Sequence, residues 1–270
     1  MTQQHSPDLE RRFGGLARLY GAEGAARIRA ARVAVVGIGG VGSWAAEALA
    51  RSGVGAITLV DLDNVAESNV NRQIHALTST LGQPKVEAMR QRIALIHPGC
   101  EVHCVEDFAA PGNWPALLPA AVDGVIDACD QVHAKQALAA WALKTRALFI
   151  TCGAAGGKRQ GERVEIADLA EVTHDPLMAA LRARLRQTGS MAKGGKDGKD
   201  RQARSGLHVV FSREAVTRPA ACGPQPGHDR NLNCHGYGSV VTVTATFGLV
   251  AAGWMLERLA QGRALQHPHT

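Results

Sequence analysis

The residues best equipped for chemistry in this 270-residue chain are a group of charged and amide side chains that follows a short apolar run. They lie in "DLDNVAESNVNRQIH" and in the nearby "GQPK": Asp61, Asp63, Asn69, Arg72, Gln73 and Lys85. The two cations could counter the charge on the β and γ phosphates of ATP while the α phosphorus is attacked. A dehydrogenase has little use for an arginine and a lysine at this place. The group therefore favours ATP over NAD as the bound nucleotide.

A glycine-rich turn precedes this group. Gly37, Gly39 and Gly42 form a G-x-G-x-x-G motif, with Gly40 inside it, between an apolar strand and a helix. Glycines allow a tight turn and let backbone N–H groups approach phosphates at the N-terminus of a helix. Asp61, at the end of the next strand, could accept hydrogen bonds from ribose hydroxyls. The turn alone is also typical of nicotinamide enzymes, so the choice of ATP depends on the charged group.

A second acidic pair closes another apolar strand. Asp127 and Asp130 lie in "DACD", at the carboxyl edge of a predicted sheet, where ligands of such folds bind. Magnesium prefers oxygen ligands and substrate phosphates, so Asp130 is the predicted Mg²⁺ ligand. Asp130 could instead cap the helix that begins near Val132, and Arg72 could instead form a surface ion pair. The nucleotide interpretation is preferred because it accounts for these residues together.

Alternating strands and helices predict the fold class. Apolar strands are indicated at 32–36, 56–60, 101–105, 124–128 and 147–152, with helices after Gly42, at 83–97 and at 132–145. This alternation predicts an α/β fold, a Rossmann-like doubly wound and mostly parallel sheet with helices on both faces. Strands at 163–166 and 207–211, and a helix capped by Asp175, predict a C-terminal α+β extension.

These elements suggest a division of the chain. We expect an N-terminal helical arm over 1–31, a Rossmann-like ATP-binding core over 32–152 and a substrate part over 153–270, continuous with the core as one domain. Glycine and charge replace hydrophobic periodicity over 188–205, which predicts a mobile basic loop.

Composition limits the class of protein further. Hydrophobic residues make up 46% of the chain, and a net charge of +6 permits an anionic partner such as RNA without requiring one. The N-terminus has no apolar signal core, which predicts a cytoplasmic protein. The uncharged stretch 236–256 approaches the length of a membrane span, but its threonines and glycines favour a buried core helix and no stable membrane association. The six cysteines form no CxxC pair, so we expect no zinc site.

Several longer motifs resemble a known group of enzymes. "VGIGGVGS", "LVDLDNVAESNVNRQ", "GQPKV" and "DACD" resemble the E1-like (ThiF) adenylating superfamily. "RFGGLARLYG", "NRQIHAL", "HDPL", "VVFS" and "VTVTATFGL" narrow the resemblance to its tRNA threonylcarbamoyladenosine dehydratase family, over about residues 11–259. By this resemblance the glycines Gly39, Gly40 and Gly42 line the nucleotide, Asp61 holds its ribose, Asp130 holds the metal, and Asn69, Arg72, Gln73 and Lys85 meet its phosphates.

The resemblance also implies a reaction. It is the ATP-dependent dehydration of N6-threonylcarbamoyladenosine in tRNA, next to the anticodon, through an acyl-adenylate and with release of AMP and pyrophosphate. Arg72 and Lys85 would be the catalytic cations. Cys234, in "NLNCHGYGS", matches a family cysteine that could form a thioester before ring closure, although a structural thiol is the alternative. The superfamily usually forms homodimers, and a cysteine desulfurase or sulfur-acceptor protein is a candidate further partner.

Two departures from the superfamily pattern bear on the alternatives. Relatives that adenylate the C-terminal glycine of a ubiquitin-like sulfur-carrier protein usually carry two CxxC pairs for zinc, and this chain has none. That activity is nevertheless the main alternative. Those relatives also carry an N-terminal arginine that reaches the ATP site of the partner subunit. This chain has Gly15 at that position, and Arg12 or Arg18 could substitute for the arginine.

Basic residues in the C-terminal part offer phosphate contacts for tRNA. The candidates are Arg182, Arg186, Lys193 and Lys196, and a solvated helix face with a disordered loop is the alternative. A non-catalytic RNA-binding module is disfavoured, because RNA binding alone needs no triphosphate pocket.

Overall fold

The computed structural model describes residues 8–191, 204–217 and 237–262. In these ranges the strands are β1 Arg32–Val36, β2 Ala56–Val60, β3 Glu101–Val105, β4 Gly124–Asp127, β5 Phe149–Cys152, β6 Val164–Asp168 and β7 His208–Ser212. They form one sheet in the order β3-β2-β1-β4-β5-β7-β6. All neighbours are parallel except β6, which pairs antiparallel with β7 at the edge. The predicted Rossmann-like, mostly parallel sheet is confirmed.

Helices cover both faces of the sheet. They are α1 Leu9–Ala30, α2 Gly42–Arg51, α3 Lys85–Ile96, α4 Val132–Thr145, α5 Pro176–Gln187 and α6 Val241–Ala260. Alternation along β1 decides which core each residue joins, because Val33 and Val35 face the α2 and α6 side while Ala34 and Val36 face the α4 and α5 side. Each face of the central strands is thus apolar, as a doubly covered parallel sheet requires.

Element ends differ by a few residues from the sequence-based prediction. The helix expected at 83–97 spans Lys85–Ile96, and Pro84 lies at its N-cap with extended backbone instead of in the first turn. The strand expected from 147 begins at Phe149, and the strand expected to end at 128 ends at Asp127. The helix predicted at 132–145 has those bounds in the structure. Asp175 caps α5 as expected, since its side chain accepts from the N–H of Met178.

The long apolar C-terminal segment forms a core helix. Phe247, Ala251 and Met255 of α6 are fully buried on the face shared with α2. The approach of these two helices is close, because a Cβ at Gly248 would overlap the Val41 carbonyl oxygen. No helix in the described ranges has the length and apolar character that a membrane crossing needs. Most of the predicted basic loop, 188–205, lies outside the described residues, so its mobility stays a prediction.

Candidate functional site

A cavity of about 790 Å³ opens at the carboxyl edge of the sheet. Its walls come from the loops that follow β1 to β5, which is where open α/β sheets bind ligands, at the change in strand order between β1 and β4. Nine of the predicted site residues line it: Gly37, Gly39, Gly40, Asp61, Asp63, Arg72, Gln73, Lys85 and Asp130. The sheet therefore brings together side chains that are far apart in the sequence.

The turn after β1 depends on two glycines. Gly37 has a φ of 88°, and a Cβ there would lie 2.9 Å from the carbonyl carbon of Ala128. A Cβ at Gly42 would overlap the Gly37 carbonyl oxygen, so Gly42 closes the turn without lining the cavity. Gly39 has no atom within 4 Å of its Cβ position and faces the open cavity. The turn thus presents bare backbone at the start of α2, which suits an approaching phosphate.

Asp61 connects the turn to the end of β2. Its two carboxylate oxygens accept from the backbone N–H of Ile38 at 2.6 Å and from that of Asp63 at 2.9 Å. Burial raises the pKa of the Asp61 carboxyl, while the nearby Lys85 ammonium and the two N–H donors oppose this change. Each oxygen keeps a lone pair for a further donor, such as a ribose hydroxyl.

Lys85 holds an ammonium group at the same edge. It is the first residue of α3 and nearly buried, and its Nζ lies 2.6 Å from Asp63 Oδ2 and 3.8 Å from Asp61 Oδ1. Asp63 is largely exposed, so its salt bridge with Lys85 is weak enough for an incoming anion to replace it. The two carboxylates keep Lys85 aimed at the cavity.

Arg72 also lines the cavity and lies against the glycine turn. Its Nη1 donates to the Ser68 carbonyl oxygen at 2.7 Å and to Asn71 Oδ1 at 3.0 Å. A Cβ at Gly40 would lie only 3.2 Å from Arg72 Cγ, so the glycine admits the arginine stem. Partial burial lowers the pKa of Arg72, which still leaves a permanent cation.

The two amide residues have different surroundings. Gln73 lines the cavity, and its buried Oε1 has no hydrogen-bond partner among the described residues. Such an orphan acceptor fits a site that is completed by a ligand. Asn69 does not line the cavity, and its Oδ1 accepts from the N–H of Ala66 at 3.0 Å, capping a short 3-10 turn. The predicted phosphate contact of Asn69 stays a prediction.

The loop after β4 carries the predicted metal ligand. Asp130 lines the cavity, on the same sheet edge as Asp61 and Asp63. No group of three or more histidine, cysteine or acidic side chains suited to a metal occurs in the described ranges. Magnesium usually takes one or two carboxylates together with substrate phosphates and water, so a single aspartate here fits it.

The predicted tRNA-binding residues and Cys234 are not among the described residues that line the cavity. On α5, Arg182 donates to the carbonyl oxygens of Leu169 at 2.8 Å and Val172 at 3.0 Å, which anchors the preceding loop. Arg186 also lies on α5, and its buried Nε has no hydrogen-bond partner within the part of the chain that the structure describes. Cys234, Lys193 and Lys196 lie outside the described residues.

Sequence reasoning missed two buried lysines. Lys135 lies 3.1 Å from Asp127 Oδ2 and 3.0 Å from Thr151 Oγ1, and all three residues are fully buried. Lys158 donates to the carbonyl oxygens of Ser212 at 2.9 Å and Glu214 at 3.0 Å. No spacing in the sequence marks either lysine as buried, because their partners come from other elements.

The chain has extensive similarity to proteins of known type. The model of the ThiF family matches residues 12–269. The tRNA threonylcarbamoyladenosine dehydratase of Escherichia coli is 42% identical over 262 residues, covering 94% of this chain and 96% of that protein. The crystal structure of the E. coli tRNA N6-threonylcarbamoyladenosine dehydratase in complex with ATP matches with a TM-score of 0.83 and 41% identity, covering 96% of this chain and 97% of that one. The molybdopterin-synthase adenylyltransferase of E. coli is 37% identical over only 116 residues, 43% of this chain and 46% of that protein.

Proposed function

The chain belongs to the ThiF family, and from this we propose that it catalyses the ATP-dependent dehydration of N6-threonylcarbamoyladenosine in tRNA, next to the anticodon. The observation that carries the proposal is the near full-length similarity to the E. coli dehydratase, whose crystal structure contains ATP. The cavity supports it, since a glycine turn, a buried aspartate and two cations meet at one sheet edge. The product is the cyclic form of the modified nucleoside.

The reaction proceeds by activation of a carboxylate. The threonyl carboxylate attacks the α phosphorus of ATP and releases pyrophosphate, which leaves an acyl-adenylate. Hydroxide is a poor leaving group and AMP a good one, so this step makes the loss of water feasible. The neighbouring carbamoyl oxygen then attacks the activated carbonyl and releases AMP. Because both groups belong to one substituent, held geometry replaces much of the entropic cost of ring closure.

The residues around the cavity have distinct parts in this reaction. Backbone N–H groups of the turn between Gly37 and Gly42 receive the phosphates at the N-terminus of α2. Asp61 accepts from the ribose, and Gln73 contributes its amide. Lys85 and Arg72 stabilise the charge that develops on the phosphates during the attack.

A magnesium ion belongs to this proposal as the companion of ATP. Asp130 would hold it, and the oxygen donors of Asp61 and Asp63 lie on the same edge. When bound, the ion would neutralise phosphate charge. The protein's own contribution is to keep the Asp130 loop in place beside the glycine turn.

Partners extend the proposal beyond the cavity. The tRNA phosphates would be contacted by basic residues of α5 and of the segment after it, Arg182, Arg186, Lys193 and Lys196. Arg182 Nη1 also donates to two carbonyl oxygens of the loop before α5. A homodimer is part of the proposal, because enzymes of the superfamily that this chain resembles usually form one. The proposal also includes a thioester at Cys234 and a sulfur-acceptor partner. Residues 32–152 and 153–270 would form one continuous domain.

Adenylation of a sulfur-carrier protein is the second candidate. The 37% identity to the molybdopterin-synthase adenylyltransferase of E. coli favours it, because that name describes the transfer of an adenylyl group. The match covers less than half of either chain, so it supports this candidate less strongly than the near full-length match supports the dehydratase.

Exchange of radiolabelled pyrophosphate into ATP distinguishes the two candidates. Adenylate formation is reversible, so label enters ATP only when the correct carboxylate acceptor is present. We expect exchange with tRNA that carries threonylcarbamoyladenosine, and none with the same tRNA lacking the threonyl group or with a carrier protein ending in Gly-Gly. Exchange with the carrier protein alone would contradict the proposed function.

A further inference from the structure

A fully buried polar network lies directly behind the loop that carries Asp130. Lys135 Nζ donates to Asp127 Oδ2 at 3.1 Å and to Thr151 Oγ1 at 3.0 Å, and the Thr151 hydroxyl donates to Asp127 Oδ2 at 2.7 Å. The exposed fraction of all three residues is 0%. The network thus joins the ends of β4 and β5 to the first turn of α4.

Stability alone is a weak reason for such a network. Two charges lose their hydration when they are buried, and apolar replacement of a buried ion pair is often neutral or stabilising. One carboxylate oxygen is held by two donors at once, which fixes the rotation of the Asp127 side chain. Two apolar side chains in place of Asp127 and Lys135 would not fix an orientation in this way.

The second oxygen of Asp127 acts on the loop. Asp127 Oδ1 accepts from the backbone N–H of Cys129 at 3.1 Å, while the N–H of Ala128 donates to the Val36 carbonyl oxygen at 2.8 Å. Ala128 packs against the glycine turn so closely that a Cβ at Gly37 would lie 2.9 Å from it. The loop is therefore fixed between the network and the nucleotide turn, and it presents Asp130 to the cavity.

We propose that Asp127, clamped by Lys135 and Thr151, is a positioning residue that fixes the Asp130 loop for Mg·ATP binding. The inference rests on the proposed function, because it takes Asp130 as the ligand of the magnesium that accompanies ATP. Asp127 itself does not line the cavity and acts only through the backbone of Cys129.

Two double variants isolate the hydrogen bond to Cys129 from the buried charges. Both contain Lys135→Met, so that neither leaves an unpaired cation. In Asp127→Asn/Lys135→Met the amide oxygen still accepts from Cys129 and the amide nitrogen donates to Thr151. In Asp127→Leu/Lys135→Met a side chain of similar size accepts nothing. The two variants thus differ in the hydrogen bonds that residue 127 makes with Cys129 and Thr151 and not in charge.

Calorimetric titration of the full-length chain with Mg·ATP, and with ATP in the presence of EDTA, measures the effect directly. We expect the Asn double variant to bind Mg·ATP nearly as the wild type does. The Leu double variant is expected to bind it at least about tenfold more weakly, which corresponds to a lost hydrogen bond with a charged or strongly polar acceptor. Binding of ATP in EDTA is expected to change little in either.

Circular dichroism melting of the same proteins controls for folding. Equal Mg·ATP affinities of the two double variants, at similar melting temperatures, would overturn the proposal. If the Leu variant does not fold, Asp127→Asn alone replaces it, because Lys135 then attracts the amide oxygen and turns the amide nitrogen toward Cys129. Addition of Lys135→Met must restore Mg·ATP affinity to that variant, and absence of a gain would overturn the proposal.

Asp130→Asn separates this proposal from the function on which it rests. Unchanged Mg·ATP affinity in Asp130→Asn would contradict the metal role of Asp130, and the positioning proposal with it. Weakened affinity in Asp130→Asn, combined with equal double variants, would contradict the positioning role alone.

Discussion

At the scale of single residues, the proposed reaction depends on a lysine and an arginine whose positive charges are held at the cavity before ATP binds. Lys85 is nearly buried, yet its partner Asp63 is largely exposed, so a triphosphate can replace Asp63 as the partner of the Lys85 ammonium group. Arg72 keeps its guanidinium on the neighbouring segment by donating to the Ser68 carbonyl oxygen. Both side chains are thus held near the turn before any ligand arrives, which lowers the entropic cost of binding one.

Replacement of Lys85 by methionine tests this arrangement. The variant keeps the apolar stem and removes the charge, so we expect ATP affinity to fall roughly 10- to 100-fold, the effect of losing a charged hydrogen bond. Titration calorimetry with ATP provides the measurement. Lys144→Met, at an exposed position in the last turn of α4, is the matched control and should bind ATP as the wild type does. Similar affinity in both variants would contradict the role of Lys85.

His75 gives the structure a specific dependence on pH. It is almost fully buried, both ring nitrogens lack a hydrogen-bond partner among the described residues, and burial together with the charges of Lys85 and Arg92 lowers its pKa to about 4. The unfolded chain, with an ordinary histidine pKa, binds the proton more tightly than the folded chain. The stability is therefore intact above the unfolded pKa and is lost as the pH falls from about 6.5 toward 4.

Urea denaturation of wild type and His75→Leu at two pH values checks this expectation. The wild type should lose about 2 kcal/mol more unfolding free energy than the variant between about pH 7.5 and pH 5. Other histidines, including His97 and His208, are common to both proteins and cancel in the difference. Parallel losses in the two proteins would show that His75 titrates normally in the folded state.

At the scale of elements, two glycines in the segment from β1 to the start of α2 are required for different reasons. Gly42 is needed by the fold, because a Cβ there overlaps the Gly37 carbonyl oxygen, whereas the Cβ position of Gly39 is open. We expect Gly42→Ala to lower the unfolding free energy by at least about 2 kcal/mol, since backbone must shift to admit the methyl group. Gly39→Ala should leave stability unchanged and weaken ATP binding, because its methyl group occupies the space meant for a ligand.

Denaturation curves and ATP titrations of the two variants, made side by side, test that division. A stable Gly42→Ala protein would contradict the close packing of the turn. Normal ATP affinity in Gly39→Ala would mean that the nucleotide does not approach the turn.

Element prediction from the sequence was closest for two short strands and one helix. The helix at 132–145 and the strands at 32–36 and 56–60 have the predicted bounds, and the two strands are continuous apolar runs because both faces of the sheet are covered by helices. Pro84 was predicted in the first turn of α3 and lies instead at the N-cap, directly before Lys85, because its backbone is extended. Lys135 was missed, because the partners that allow its burial come from two strands that the helix pattern does not reveal.

At the scale of the whole molecule, the topology of the sheet determines where the cavity lies. The loops after five parallel strands line it, because these strands end at one edge and the strand order changes between β1 and β4. Strand alternation in the sequence predicted that edge, whereas the glycine motif, the charged residues that follow the strands and the family resemblance predicted nine of the residues that line it. On the acceptor side, Cys234 and most of the basic loop lie outside the described residues, so the roles assigned to them stay predictions.

The most direct test of the central claim is nucleoside mass spectrometry after incubation of the protein with ATP, Mg²⁺ and tRNA that carries threonylcarbamoyladenosine. We expect the modified nucleoside to lose one water, the loss to require ATP, and Asp130→Ala to abolish it. An unchanged nucleoside, in a preparation that still binds ATP, would contradict the proposed function.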